Sequence, residues 1–272
     1  MKTNHSILFG FYILLSIVCA EAVAKIPTEE IHRVYTQANE AFSKANKLSG
    51  DSDQAQALYQ QAIADYQKII DAGGIHNAML YYNLANSYLL TDDLGSAILN
   101  YRRAQYLDDS NPDIHKNLNF ARSKRIDRFT VTTQKKILER LFFWHYDLSM
   151  KTRFVVGGIS LSILCLWLVL RMWIIKWPAV IPVCSTMLLV LMGMVVSVAV
   201  EQHGLSTHRS GVIVADAVVA RQGDSDNYPE SFTDPLHTGI EFDVIEQRPG
   251  WLHINLSSDQ DTWIPADAAE LI

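Results

Sequence analysis

Hydrophobic positions fall into three long runs, and the polar stretches between them carry two different periodicities. The first run, Ile7 to Val18, follows Lys2 and precedes the small residues Ala20, Ala22 and Ala24. A basic start, a short apolar core and alternating small residues predict a secretory signal peptide over residues 1–22. The second and third runs, 154–175 and 179–200, each approach or exceed the roughly 20 apolar residues that cross a bilayer. Trp144 and Tyr146 before this pair, and Trp173 and Trp177 near its connection, suit aromatic belts at two interfaces. A buried hairpin of a soluble protein is the alternative, and two long runs so close together argue against it.

A signal peptide places the segment after Ala24 on the outer side, and two spans return the chain to that side. Local charge pulls the other way, because Lys135, Lys136, Arg140, Lys151 and Arg153 precede the first span. Long segments translocate largely regardless of charge, so the signal decides. Within residues 131–153, Lys135, Lys136 and Arg140 alternate with Ile137, Leu138, Leu141, Phe142 and Phe143. That mixture predicts an amphipathic segment lying on the membrane.

Residues 25–130 are rich in Ala, Tyr, Leu, Gln and Asn at helical spacing. The stretch Tyr81-Tyr82-Asn83-Leu84-Ala85-Asn86-Ser87-Tyr88, followed by Ala97, Tyr101 and Ala104, resembles the tetratricopeptide repeat. Asn83-Leu84 recurs as Asn117-Leu118, an offset of 34 residues that matches the repeat period. Upstream, Ala38 to Phe42 and Ala62 to Tyr66 read as the two helices of an earlier repeat. About a dozen extra residues around Ser49 to Ser52 make that repeat longer than the standard unit. Ala85 and Asp92 stand where the family favours glycine, and Asp109 where it favours proline. Such stacks hold a peptide or helix in the groove of their first helices. Repeat position then nominates Asn39, Tyr82, Asn83, Asn86, Lys116 and Asn117 as groove residues, whose amides can pair with a peptide backbone. Asn39 and Asn83 match the amides of the family's carboxylate clamp. Tyr35, Asp113 and Asn117 occupy its cation positions, so a clamp is not expected. The competing reading is that these asparagines only fix local turns.

After the third run the texture changes to short β-type runs, 212–220, 241–246, 251–256 and 262–264, separated by Gly, Pro, Asn and Asp. The spacing Gly250-Trp251 and Trp263-Ile264-Pro265 resembles bacterial SH3-like domains, predicting a small barrel over 208–272. The tyrosines of proline-motif readers are missing from Ala215 to Val219, and Trp251 and Trp263 read as core. The fold class expected is therefore multidomain: an all-α repeat solenoid, a two-helix membrane hairpin and a C-terminal all-β barrel.

Charge sharpens the division. Residues 102–140 carry ten basic and five acidic side chains, whereas 201–272 carry three basic and thirteen acidic. Opposite charge predicts two separate surfaces with separate partners. No nucleic-acid motif accompanies the basic stretch. All three cysteines lie in apolar runs, leaving no disulfide framework for the soluble parts. His203 and His208 lack a third ligand nearby, and no nucleotide, hydrolase or zinc-protease motif occurs. The expectation is a non-enzyme without metal or cofactor.

The order of signal, repeats, two spans and SH3-like segment is similar to BatE-type proteins of bacterial aerotolerance operons. Tyr81 to Tyr88, Ala97 to Ala104 and Asn117 to Ser123 carry that likeness. It implies a scaffold in a bacterial inner-membrane complex with von Willebrand A-domain proteins and a MoxR-type ATPase, both soluble parts periplasmic. An alternative is a peptidoglycan-binding module acting through the SH3-like segment.

Overall fold

The computed structural model describes residues 27–49, 52–127, 129, 137–138, 140–146, 148–173, 180–207, 209–256 and 260–272. The predicted signal peptide and the connection between the two apolar runs lie outside the described residues. The chain divides into two compact units between His76 and Asn77.

The first unit is an antiparallel helical hairpin, α1 (Thr28–Ala45) and α2 (Asp53–Asp71). Glu29 and Glu30 in the first turn of α1, and Lys44 in its last, complement the helix dipole. Ser52 caps α2 by accepting from the Ala55 amide at 3.2 Å. The small residues Ala38, Ala41 and Ala45 are buried on α1 and let it approach Tyr59, Ala62 and Tyr66 of α2. Both helices are longer than the standard repeat helix, so most of the extra residues extend helices rather than a loop.

The second unit opens with α3 (Ala78–Leu90), α4 (Leu94–Leu107) and α5 (Pro112–Ser123). Asn77, Asp93 and Asn111 cap these helices through side-chain oxygens. Pro112 at the start of α5 loses no needed hydrogen bond there. Asp92, at the α3–α4 turn, has φ of 60°. The turn requires the left-handed conformation, which glycine adopts without a Cβ clash and aspartate does not.

A short helix α6 (Phe143–Tyr146) then leads to α7 (Met150–Trp173) and α8 (Val180–Thr207). Both are long and apolar enough to cross a membrane, over Met150–Val169 and Pro182–His203. Only 17% and 6% of these stretches are buried in the protein, unlike the core helices of a soluble hairpin. Helix α7 begins four residues before the predicted span, so Met150 to Arg153 belong to it rather than to the preceding amphipathic segment.

Seven strands follow: β1 (Arg209–Ile213), β2 (Ala217–Val218), β3 (Leu236–His237), β4 (Glu241–Arg248), β5 (Trp251–Leu256), β6 (Asp261–Pro265) and β7 (Ala269–Leu271). Five form one antiparallel sheet ordered β6-β5-β4-β1-β7, and β2 pairs with β3 separately. The predicted 212–220 strand is thus split in two. The described strands leave β6 and β7 as edges and do not close into a barrel. Gly250, with φ of 79°, makes the tight β4–β5 turn. Ile213, Ile240, Phe242, Ile254, Leu256 and Ile264 form the core of this part. Trp263 is buried outside that core. Its ring stacks on His253 at 4.6 Å, with the Arg248 guanidinium 4.7 Å from its centroid.

Candidate functional site

The six residues nominated for a groove fall in both units. In the first, Asn39 accepts a hydrogen bond from the Tyr66 hydroxyl at 2.6 Å, and one helical stretch away Asn46 accepts from Tyr59 at 2.8 Å. In the second, the Tyr101 hydroxyl donates to Asn86 Oδ1. Asn117 Nδ2 donates to the same oxygen at 2.9 Å and to the Tyr82 hydroxyl at 3.0 Å. Tyr82, Asn86 and Asn117 therefore converge with Tyr101 into one network that ties α5 to α3 and α4. Burial raises the Tyr101 phenol, Tyr82 adds to the rise, and the hydrogen bonding with Asn117 offsets part of it.

The two hairpins share one contact. A tyrosine of the second helix donates to an asparagine of the first in each hairpin, pairing Tyr66 with Asn39 and Tyr101 with Asn86. Asn39 thus takes in the first hairpin the place that Asn86 has in the second. The flanking Ala38-Asn39 and Ala85-Asn86 carried this signal in the sequence, hidden by the longer first hairpin.

Asn83 and Lys116 stand apart. Asn83 is half-buried, Lys116 is exposed, and neither side chain has a hydrogen-bond or ion-pair partner among the described residues. Met79 and Phe120 are 51% and 54% exposed. Met79 lies one helical turn before Asn83, and Phe120 one turn after Lys116, so apolar and polar groups share each exposed face. The hydrogen bonds from Asn117 to α3 bring these two faces side by side. The result is a surface that combines unspent donors and acceptors with large apolar groups.

The sheet is not an independent surface. Val212 of β1 packs among Ala85, Ala97, Ile98, Leu118 and Ala121. Gly95 permits this approach, since a Cβ there would lie 2.9 Å from the Ile213 carbonyl oxygen and closer still to Thr238. Around this apolar contact sit four arginines of the basic stretch and two glutamates of the acidic one. Glu241 of β4 accepts from Arg122 Nε and Nη2 at 2.8 and 2.6 Å, and pairs with Arg102 and Arg125 at 3.2 and 3.3 Å. Arg103 donates to Glu270 and to the Leu271 carbonyl, and the His237 amide donates to Asp127 at 2.7 Å. The expectation of two separate surfaces is corrected in part: four arginines of the basic stretch pair with Glu241 and Glu270 of the sheet, so the helices are one of the sheet's own partners.

A second polar cluster joins the ends of α7 and α8. Arg153, whose side chain is 2% exposed, pairs with Glu201 and donates to Ser197 Oγ at 3.0 Å and to the Leu148 carbonyl at 2.9 Å. His145 Nδ1 lies 2.9 Å from the same serine hydroxyl. Sequence periodicity gave no sign of this cluster, because its members are separated by up to 56 positions. Compared with protein-family models and with curated proteins, the chain matches none.

Proposed function

We propose that the protein is a membrane-anchored interaction scaffold, held by the α7–α8 hairpin, whose helical repeats take up a peptide or helix from a partner. The observation that carries this reading is the joint face of α3 and α5, where exposed Met79 and Phe120 flank Asn83 and Lys116. Large apolar groups beside unpaired polar ones are what a helix-in-groove or extended-peptide contact uses. In the finer reading, the hairpins are tetratricopeptide repeats and the sheet an SH3-like domain. The sheet then acts as a brace for the repeats instead of a second hand. By the resemblance noted above, the partners are von Willebrand A-domain proteins and a MoxR-type ATPase at a bacterial inner membrane. The docking of the sheet on α3–α5 supports placing both soluble parts on one side of the bilayer, and the signal-peptide expectation makes that side the periplasmic one.

The test is crosslinking of the full chain in intact cells, followed by purification from membranes. Phe120→Glu and Asn83→Lys, at positions outside the packed core, are expected to lower recovery of crosslinked membrane partners at least tenfold. The amount of protein in the membrane should not change. Undiminished recovery with both variants overturns the reading.

A further inference from the structure

Two cavities meet where the apolar stretches of α7 and α8 end. One, of about 610 Å³, sets charged groups beside apolar ones and is lined by Arg209, Lys151, Arg153, Asp109, Glu201 and His145 among others. The other, of about 530 Å³, is apolar and runs along α8 under Phe142 and Trp144. His145 lines both. Ser197 in the apolar cavity accepts from Arg153 in the charged one, so the two share a wall.

The charges of the first cavity are unevenly spent. Arg153 pairs with Glu201, Lys151 with Asp108 and Arg102 with Glu241. Arg209, exposed at the first position of β1, has no ion-pair partner among the described residues. Asp109 of the same lining is engaged by Gln105 and His115, and a cation without an ion-pair partner favours an anionic group. The apolar cavity follows Leu189, Met192, Gly193, Val196 and Val200. These positions share one face of α8 and extend over about 16 Å of helix. A chamber with charged walls and a cation without an ion-pair partner, beside an apolar groove on a helix long enough to span a bilayer, matches an amphipathic molecule. Both volumes fall in the range of roughly 300–1,000 Å³ typical of small-ligand sites.

We propose that the protein holds one phospholipid of the surrounding bilayer here, its phosphate at Arg209 and an acyl chain in the groove of α8. This rests on the membrane-spanning reading of α7 and α8. Basic pockets beside spans are a recurring means of taking lipid headgroups. Such a lipid would fill the space between α8 and the segment carrying Phe142 and Trp144, fixing the hairpin against the soluble unit.

The experiment uses the full chain purified in mild detergent, with native mass spectrometry and a phosphorus assay for retained phospholipid. A Cβ at Gly193 meets nothing within 4 Å, so Gly193→Leu starts into open space and directs its side chain into the groove. Arg209→Gln removes the cation. The wild type should keep about one phospholipid per chain, and each variant should lose at least five-fold. Equal retention in all three means only a nonspecific lipid shell and overturns the proposal, as does a wild type without lipid. Loss with Arg209→Gln alone, with inorganic phosphate competing, shows a simple anion site and also overturns it. Alkaline extraction of the same membranes separates the two readings. Protein that resists extraction yet keeps no lipid refutes only the lipid site, whereas protein that is extracted refutes the spans.

Discussion

Glu241 gathers three arginines, and its protonation should govern how firmly the sheet stays on the helices. Burial pushes its carboxyl up, but the hydrogen bonds and charge of Arg122, with Arg102 and Arg125, outweigh that and leave it below the usual 4.5. A folded-state value below the unfolded one adds stability above the ordinary glutamate range. That stability is lost as pH falls through 4.5 toward the folded value. Glu241→Gln should therefore cost about 3 kcal/mol at pH 7, as expected for breaking a largely buried charge cluster. Denaturant unfolding between pH 7 and 3 should show the gap between wild type and variant narrowing below pH 4.5; a gap of constant size contradicts the assignment. Asp92 offers a test of the opposite sign. Its φ of 60° is strained for an aspartate, so Asp92→Gly should stabilise by about 0.5–1 kcal/mol in the same assay. The sequence marked Asp92 as a departure from a glycine position, and the backbone supplies the reason. It did not distinguish Asn83 from Asn86, because the choice depends on which asparagine faces a tyrosine of the next helix.

Among the elements, the helical hairpins were the most legible. Caps such as Ser52, Asn77 and Asp93, together with the spacing of Ala97, Tyr101 and Ala104, determine them locally. The β-type segment was less so. The run 212–220 looks continuous, but after Ile213 the Val214 and Ala215 amides donate to the Ala268 carbonyl, and the strand breaks there. The ends of α7 and α8 were illegible, since an apolar run reports its length and nothing of the partner opposite. At those ends Arg153 is buried against Glu201. Glu201→Ala leaves that arginine unpaired and should weaken the hairpin by about 3–5 kcal/mol, whereas Arg153→Met with Glu201→Leu should recover most of the loss. Thermal unfolding in detergent reads both; equal damage from the single and double changes would show that packing, not the ion pair, matters.

For the whole molecule, the segregated charges invited a picture of two arms reaching for separate partners. The described contacts give another use for them. Arg102, Arg103, Arg122 and Arg125 hold Glu241 and Glu270, and the apolar patch around Val212 lies between the same elements. Charge composition alone could not distinguish an internal interface from an external one, because both require the same complementarity. The scaffold proposed here therefore presents one partner surface, on α3 and α5, braced by the sheet and anchored by the hairpin. Its central claim is that helices and sheet stand on one side of the membrane with the α7–α8 connection on the other. Single cysteines in place of Met79, Tyr228 and Lys176, in a chain whose own cysteines are changed to serine, test it with a membrane-impermeant thiol reagent. Met79 is exposed on α3 and Tyr228 in the loop between β2 and β3. Cysteines at 79 and 228 should react from the same side, and one at 176 only from the opposite side; labelling of 79 and 228 from different sides would contradict this topology.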